Sequence, residues 1–388
     1  MPIQRPRILH AAQMAGTGVV SPSNLDATAQ GSSGNKNLIH NGAMLVHQKG
    51  ATITLSGLTP NLDRFTSYKS NAGTQTVEQS TDVPTGEGFK NSLKATCTVA
   101  DGSIAVGDRV SVIQRLEGQH CAHLMWGTAN AKTVTLSFFV KSSVTGTHGG
   151  AFGNGSDNRA YPFTYTISSA NTWERKTITV PGDTTGTWAT DNTRSIQICW
   201  GLGVGTTNSG TAGAWEAADR NSATGATTGF LTTVNSTFFL TGVQLEVGSV
   251  ATAFEHEPFA QTYEKCERYY QKSYIHSEAP GGAQSNGSGT YLGGVITMSN
   301  YNSQYNQQLY HYEQFRTKMR AAPTAVVYNI YSGAAANIMH YPSGDNHTAT
   351  YAHQSENGFR VYATSVNAYG NNNGGDHYAF HYTANAEL

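Results

Sequence analysis

The sequence has 388 residues, of which 13% are charged, and its net charge is −1. This length is enough for two or three domains of roughly 100–200 residues each, and the charged share is about half of the usual 25% or so. A near-zero net charge gives no basic field for nucleic acid or anionic lipid, and no run approaches the roughly 18 apolar residues that span a bilayer. We therefore expect no nucleic-acid partner and no membrane insertion. The surface must instead be built from Ser, Thr, Asn, Gln and Gly, which suit neutral polar ligands or tight oligomers.

Residues 1–36 are predicted to form an extended N-terminal arm. Pro2 and Pro6 oppose a helix, and Gly31–Lys36 has the composition of a flexible polar linker. Between them, Ile8–Met14 is apolar enough to dock on another protein, although a frayed terminus would have the same pattern. The pattern of a secretory signal peptide is missing from the start of the sequence, so we expect no export signal.

Residues 37–257 are predicted to form a β-domain. Its strand candidates show two-residue alternation or short β-branched runs, bounded by Gly, Pro and Asn. They are Ala51–Leu55, Arg109–Gln114, Thr133–Lys141, Tyr161–Ile167, Trp173–Val180, Ser195–Trp200 and Phe238–Gly248. Between the last two, Gly203–Gly229 is rich in Gly, Thr, Asn and Ala, contains Trp215, and is predicted to be a long surface loop.

The segment Phe238–Gly248 is predicted to be the closing strand of a sandwich, paired with an opening strand at Asn37–Met44. Side chains of a strand alternate between its two faces. Strict alternation predicts one face made of Phe239, Thr241, Val243, Leu245 and Val247, and a second face made of Leu240, Gly242, Gln244 and Glu246.

The four cysteines show no spacing typical of a metal site or a disulfide framework. They are Cys97, Cys121, Cys199 and Cys266. We expect them to be reduced and to behave as small apolar core residues, as in a protein that folds in a cytoplasm.

After residue 257, one helix and a second β-domain are predicted. Pro258–Ser273 is the helix, with an apolar stripe at Phe259, Tyr263, Cys266 and Tyr270. Residues 274–388 follow, with strands at Thr290–Met298, Ala325–Tyr331, Thr348–Ala352, Phe359–Thr364 and His377–Thr383. Tyrosines are dense in this part of the chain, among them Tyr301, Tyr305, Tyr310, Tyr312, Tyr341, Tyr351 and Tyr369.

Several blocks resemble tail-fibre-like structural proteins of tailed phages, marine phages in particular, that carry a carbohydrate-binding jelly-roll module. The blocks are Asn37–Gly42, Thr133–Ser143, Asn171–Trp188, Thr241–Gly248, Thr252–His256, Cys266–Tyr270 and Phe315–Thr324. Together they cover residues 37–330 in pieces. The resemblance implies an all-β fold: a jelly-roll β-sandwich over 37–257, a short connector helix over 258–273 and a second small β-sandwich domain over 274–388.

The resemblance also implies partners and a location. The arm would dock on other virion proteins, the chain would be a homotrimer, and the protein would belong to a virion assembled in the host cytoplasm. One departure concerns metal. Sugar-binding relatives hold a structural calcium with a Glu after the opening Asn-Gly and paired Asp residues in the closing strand. This chain has Ala43-Met44 and Thr241-Gly242 there, which lack the carboxylates that Ca²⁺ prefers. We expect no metal and no other cofactor.

The candidate ligand-binding residues are tryptophans, because sugars stack on exposed aromatic rings. Trp126, Trp188 and Trp215 are predicted to contact a glycan, with the tyrosine-rich C-terminal part as a further possibility, and Trp173 is predicted to lie in the core. His120-Cys121-Ala122-His123 has metal-ligand residue types, but nothing near in sequence completes a site. His377 and His381 would share one face of a strand.

No catalytic residues are predicted. Gly201-Leu202-Gly203-Val204-Gly205 lacks the βαβ context of a dinucleotide site, and no nucleophile-elbow or metalloprotease motif is present. The sequence therefore predicts a non-enzymatic virion protein of a tail fibre, fibre adaptor or spike that binds host-surface glycan. A capsid decoration or head-fibre protein is the first alternative, and a polysaccharide depolymerase is the second.

Overall fold

The computed structural model describes residues 36–50, 52–283, 293–299, 309–341, 345–363 and 377–388. The predicted arm lies outside these ranges apart from Lys36. Within them the chain is nearly all β, and the predicted fold class, led by a jelly-roll β-sandwich, is confirmed. Residues 37–388 form one unit.

The sandwich has two antiparallel six-stranded sheets. The strands of this part of the chain, in order, are β1 (Thr52–Thr54), β2 (Gly57–Pro60), β3 (Phe65–Lys69), β4 (Thr74–Ser80), β5 (Ser92–Val99), β6 (Arg109–Glu117), β7 (Val134–Ser142), β8 (Gly146–Asn154), β9 (Ala160–Ile167), β10 (Glu174–Val180), β11 (Arg194–Val204), β12 (Ser209–Gly210), β13 (Ser222–Ala223) and β14 (Thr237–Val247). The short strands β12 and β13 pair with each other outside the two sheets. The first sheet has the order β1-β4-β5-β14-β7-β10, and the second has β2-β3-β6-β11-β8-β9. The two sheets enclose one core.

Alternating side chains of the central strands fill this core. In β7, Val134, Leu136, Phe138 and Val140 point inward and are fully buried, and Trp200 from β11 meets Phe138 edge to face at 5.8 Å. Burying such side chains contributes about 1.5–3 kcal/mol each. The alternation seen in the sequence therefore shows which side chains of β7 face the core.

A β-bulge in β14 changes the predicted faces of the closing strand. Gly242 has φ +61°, and the register against β7 shifts between Thr241 and Gln244. This extra residue reverses the alternation beyond it. The core face is Phe238, Leu240, Val243 and Leu245. The predicted grouping of Phe239 and Thr241 with Val243 and Leu245 is therefore wrong.

The predicted opening strand, Asn37–Met44, lies beside β14 in space but does not form a regular strand. The amide of Leu38 donates to the carbonyl of Leu245, at 2.9 Å, and the amide of Val243 donates to the carbonyl of Gly42, at 3.0 Å. Between these contacts the chain turns, and Asn41 and Met44 have positive φ values. The predicted pairing of the two segments is present, but the predicted strand is not, because the turn interrupts the ladder.

The segment predicted as a long surface loop, residues 203–229, packs on the outer face of the second sheet. It contains a 3₁₀ turn (Thr206–Asn208) and the paired β12 and β13, and it leads into α2 (Gly229–Thr232). Ser222 and Ala223 are buried against the sheet, where a Cβ added to Gly149 would lie 2.9 Å from the Ala223 nitrogen and one added to Gly201 would lie 2.9 Å from the Ser222 Cβ. Glycines in the sheet thus give the covering segment room to approach.

The connector helix is shorter than predicted. Besides α1 (Gly118–Cys121) and α2, the described residues contain the helix α3 (Phe259–Glu267), and a strand, β15 (Tyr270–Lys272), follows it where helix was expected. Tyr270 pairs with Asn385 and Lys272 with Thr383, so a distant strand determines this conformation. None of the helices in the described ranges has the length and apolar character needed to cross a bilayer.

The second β-domain forms one eight-stranded sheet around its own core. Its remaining strands are β16 (Ile296–Ser299), β17 (Leu309–Gln314), β18 (Thr324–Asn329), β19 (Asn337–Tyr341), β20 (Asn346–Ser355), β21 (Gly358–Ala363) and β22 (His377–Asn385). The core contains Phe359, Val361, Tyr378 and Phe380. Of the predicted strand at Thr290–Met298, residues 290–292 lie outside the described residues.

Buried ion pairs join the second β-domain to the sandwich. The Glu387 carboxylate accepts hydrogen bonds from Lys49, at 2.8 Å, and from Arg64. The Arg64 guanidinium also lies 3.4 Å from the centre of the Tyr269 ring. Arg115 donates to the backbone oxygen of Leu388 at 2.6 Å. These contacts fix the last residues of the sequence against the sandwich.

Candidate functional site

The three predicted tryptophans come together at one end of the sandwich. The ring centres of Trp126 and Trp188 are 4.7 Å apart, and Trp215 lies 5.4 Å from the first and 5.5 Å from the second. All three pairs meet edge to face, which is a favourable geometry worth about 0.5–1.5 kcal/mol per pair beyond burial. Sequence reasoning selected these residues one by one, and the fold places them in one cluster.

Each indole N–H of the cluster donates to a backbone carbonyl. Trp126 donates to Lys132 at 2.8 Å, Trp188 to Thr185 at 3.1 Å and Trp215 to Pro181 at 2.8 Å. Trp126 and Trp188 are only 7% and 9% exposed, whereas Trp215 is half-buried. The tryptophans are therefore fixed in position.

A buried ion pair holds the loop that carries Trp188. Arg159 donates two hydrogen bonds to the Asp183 carboxylate, at 2.8 and 2.7 Å, and Thr185 donates two more from its amide and hydroxyl. Burial raises the pKa of Asp183, but the hydrogen bonds from Arg159 and Thr185 outweigh it and lower the pKa overall. The loop is thus anchored at its start by an ionised carboxylate.

A cavity of about 250 Å³ lies beside Trp126 and Trp188. It is large enough for one monosaccharide. Its floor is buried and its rim is exposed, so it opens to solvent. The side chains in the floor are Cys121, Leu124, Trp126, Trp188, Ser195 and Ile196, and those at the rim include Ala122, Met125, Thr128 and Thr190. An apolar lining with a few hydroxyl groups is typical of small-ligand pockets.

One buried side chain of the cavity floor, Cys121, carries a thiol. Burial, with a contribution from Glu117, raises the pKa of the Cys121 thiol to about 12. The thiol is therefore protonated at neutral pH and is a poor nucleophile. All four cysteines are free and buried, as the sequence predicts.

The histidine motifs do not form metal sites within the described residues. His120 lies on α1 and His123 on a 3₁₀ turn (Ala122–Leu124). His381 is fully buried, where its Nδ1 lies 3.0 Å from the Ser273 hydroxyl, while the side chain of His377 is outside the described set. Across the described ranges, no three His, Cys, Asp or Glu side chains are close enough to hold a metal ion.

Trp173 was predicted to lie in the core, and this prediction is wrong. It precedes β10 and is half-buried on the outer face of the first sheet. Its indole N–H donates to Asp82 at 3.0 Å, and its ring lies 6.0 Å from that of Phe239. Lys141 pairs with Asp82 and lies over the Phe239 ring at 4.3 Å. These contacts come from distant parts of the sequence, so the local pattern does not show them.

A second aromatic surface lies on the second β-domain, on the outer face of β17, β21 and β20. We call it the tyrosine face, and its members are Tyr310, Tyr312, Thr350, Arg360 and Tyr362. In the sheet register Tyr310 is opposite Tyr362, which is opposite Thr350, and Tyr312 is opposite Arg360. Tyr310 and Tyr312 are 68% and 51% exposed.

Of the tyrosines singled out in the sequence, the fold exposes only some. Tyr351 packs against the core of the second β-domain. Tyr301, Tyr305 and Tyr369 lie outside the described residues, as does the side chain of Tyr341. Sequence reasoning missed Arg360 and Tyr362. The alternation of Tyr310 and Tyr312 is visible in the local sequence. Nothing in the local sequence shows that β21 pairs with their strand and supplies Arg360.

Comparisons with known proteins find similarities to solved structures at low sequence identity. No protein-family model matches the chain, and no curated protein matches it. The enzymatically active domain of tailspike protein 4 from bacteriophage CBA120 is 13% identical, with a TM-score of 0.29, over 55% of this chain and 22% of that one. The chain therefore spans about a fifth of that tailspike domain.

Two carbohydrate-binding modules are also similar. The family 11 module from Clostridium thermocellum, solved with a β-1,3-1,4-mixed-linked tetrasaccharide, is 14% identical with a TM-score of 0.26 over 53% of this chain and 99% of that one. The module TmCBM61, solved with β-1,4-galactotriose, is 8% identical with a TM-score of 0.25 over 47% of this chain and 88% of that one. The proposals below rest on the residues of this chain.

Proposed function

We propose that this chain is a structural protein of a tailed-phage virion, in the tail fibre, a fibre adaptor or a spike, and that it binds host-surface glycan without cleaving it. The observation that carries the glycan part is the open cavity beside Trp126 and Trp188 at one end of the sandwich. The loop that carries Trp188 is anchored by the Arg159–Asp183 pair. A preformed site of this kind loses little entropy on binding a sugar.

The virion part of the proposal rests on the sequence blocks shared with tail-fibre-like proteins. The arm, residues 1–36, would dock on other virion proteins, and three copies would assemble as a homotrimer. Three weak sugar sites on one particle component would then act together, because linking sites raises the effective concentration of each.

The glycan site is tested by blocking the cavity from its rim. Thr190→Trp places a bulky ring at the mouth, whereas Thr184→Trp adds the same ring at an exposed position in the same loop that does not line the cavity. We expect the first variant to lose binding to host cells or to their purified surface polysaccharide, and the second to bind like the wild type. Unchanged binding by Thr190→Trp would show that the cavity is not the site.

The location is tested by immunogold labelling of whole particles with an antibody against this chain. Gold on fibres or the tail tip supports the proposal, and gold confined to capsids would favour a decoration or head-fibre protein.

The depolymerase alternative is tested by incubating the protein with host capsule or lipopolysaccharide. Release of oligosaccharides that stops when one carboxylate is substituted would overturn the non-enzymatic assignment.

A further inference from the structure

We propose that the tyrosine face binds acidic polysaccharide and recognises the carboxylate of uronic acid residues through Arg360. The inference concerns a site separate from the tryptophan cavity. It rests on the proposed function only in taking the ligand to be a glycan.

The first argument is the orientation of Tyr312. A Cβ added to Gly358 would lie 2.8 Å from both Cζ and Oη of this tyrosine. The phenol ring therefore lies across the sheet over the glycine, in a space that any other residue would fill. The glycine gives room to the tip of the phenol, and Tyr312 as a whole remains 51% exposed. An exposed aromatic ring is suited to stacking against the apolar side of a sugar ring.

The second argument is the position of Arg360 between aromatic rings. Its guanidinium carbon lies 5.2 Å from the centre of the Tyr310 ring and 5.8 Å from that of Tyr362. Rings at these distances attract the cation and hold the planar group in place. The guanidinium is thus held before any ligand arrives.

The third argument is the missing counter-charge. Among the described residues Arg360 has no carboxylate partner, and its Nε is buried without a hydrogen-bond partner. Glu356, four residues before Arg360, pairs with Lys318 at 2.6 Å, and Glu313, opposite Phe359 on β17, pairs with His311 at 3.1 Å. A guanidinium prefers a bidentate carboxylate, so the ligand is expected to bring one.

The register completes the site. Residues two apart along a strand are about 6.8 Å apart, so Tyr310 and Tyr312 give two adjacent stacking positions along β17. Thr350 is exposed across the sheet from Tyr362 and adds a hydroxyl group to the same face. The tyrosine face therefore combines two stacking rings, one cation and one hydroxyl, which suits an extended chain of carboxylated sugars.

The test uses the full chain and two probes with the same backbone: polygalacturonate and its methyl ester, which lacks the charge. Binding is measured at low ionic strength by a surface or affinity-gel method. We expect the wild type to prefer the acid form by about tenfold or more, which is the range of a charge-assisted hydrogen bond. Arg360→Gln should remove the preference, and Tyr312→Ala should weaken binding of both probes.

The matched control is Lys318→Gln, which removes one exposed positive charge from the same β-domain away from the tyrosine face. It should bind like the wild type if the preference depends on Arg360. A general charge effect would instead alter Lys318→Gln and Arg360→Gln equally. Equal binding of the two probes by the wild type, or a preference that survives Arg360→Gln, would overturn the inference.

Two further outcomes separate the remaining possibilities. Sedimentation of the wild type and of a Tyr310→Ala, Tyr312→Ala double variant tests whether a second copy covers this face, and a change in oligomeric state would overturn the glycan assignment.

Binding to host cells that is blocked by Thr190→Trp, together with no preference for polygalacturonate, would refute this inference and leave the proposed function standing. Failure to bind any host-cell polysaccharide would refute the proposed function itself.

Discussion

Arg268 donates two hydrogen bonds to the Glu117 carboxylate, at 3.0 and 2.6 Å, and so connects the residue after α3 to the end of β6. Glu117 is fully buried, and its carboxylate also accepts a hydrogen bond from the Tyr269 hydroxyl at 2.7 Å. The pair therefore fixes the connector between α3 and β15 to the sandwich.

Removing Arg268 should therefore be costly. Arg268→Ala leaves a buried carboxylate without its cation, and we expect the free energy of unfolding to fall by about 3–5 kcal/mol. The measurement is urea denaturation followed by tryptophan fluorescence. The control is Lys318→Ala, which breaks an exposed pair with Glu356 and should cost about 1 kcal/mol or less. Similar losses in the two variants would contradict the structural role of the buried pair.

A second prediction concerns Glu387 and acid pH. Burial raises the pKa of Glu387, but Lys49 and Arg64 outweigh it and lower the pKa to about 2, from 4.5 for the free side chain. A carboxyl group with a lowered pKa contributes stability above the unfolded pKa and loses it as the pH falls towards the folded one. The wild type should therefore lose on the order of 3 kcal/mol of stability between pH 4.5 and pH 2 through this group.

The matched variant is Glu387→Gln, which cannot titrate at this position. We expect it to be less stable than the wild type at neutral pH and to approach the wild type as the pH falls below 4.5. Urea midpoints measured across this range check the prediction. A constant difference between the two proteins at all pH values would mean that the ion pairs with Lys49 and Arg64 do not form.

The sequence predicts those parts of the fold that local patterns control. Thr133–Lys141 was predicted and Val134–Ser142 is observed, because alternating β-branched and aromatic residues identify a strand with one core face. The glycine-rich strand Gly146–Asn154 was missed. Its glycines have no side chains to alternate. They are needed there because Ser222, from a segment about 70 residues away, approaches the strand closely.

The candidate sites divide in the same way. Residue type alone selects Trp126, Trp188 and Trp215, since large aromatic rings in polar segments are few. Their convergence depends on loops that only the sandwich brings together. The tyrosine face depends on the β17–β21 register, which a single sequence does not reveal, and so Arg360 could not be predicted.

A third prediction concerns His381 at mildly acid pH. Burial lowers the pKa of this histidine to about 4, and its ring stacks on Tyr274 at 4.1 Å. A histidine with a lowered pKa contributes stability above 6.5, the unfolded value, and loses it as the pH falls towards 4, because the unfolded chain takes up the proton first. The loss through His381 should reach on the order of 2 kcal/mol by pH 5.

His381→Asn removes this titration and should make the stability of the protein less dependent on pH between 6.5 and 4. His353→Asn provides a control, because it makes the same substitution at an exposed position of the same β-domain. Thermal unfolding at several pH values measures both. An unchanged slope in His381→Asn would show that the buried ring does not control acid sensitivity.

The last prediction concerns the bulge at Gly242. Its φ of +61° is a conformation that costs other residues about 1–2 kcal/mol. In addition, an added Cβ would lie 2.6 Å from Phe89 and 2.9 Å from Phe139, which are packed over the strand. Gly242→Ala should therefore lower the free energy of unfolding by this backbone cost and by about 1–3 kcal/mol more for overpacking.

Gly225→Ala isolates the first of these two costs. Gly225 also has a positive φ, +83°, but a Cβ there would meet nothing within 4 Å. Denaturation of both variants should show Gly242→Ala as clearly the less stable. Equal losses would mean that Phe89 and Phe139 move aside freely, and that the bulge is maintained by backbone conformation alone and not by the aromatic packing on the outer face of the first sheet.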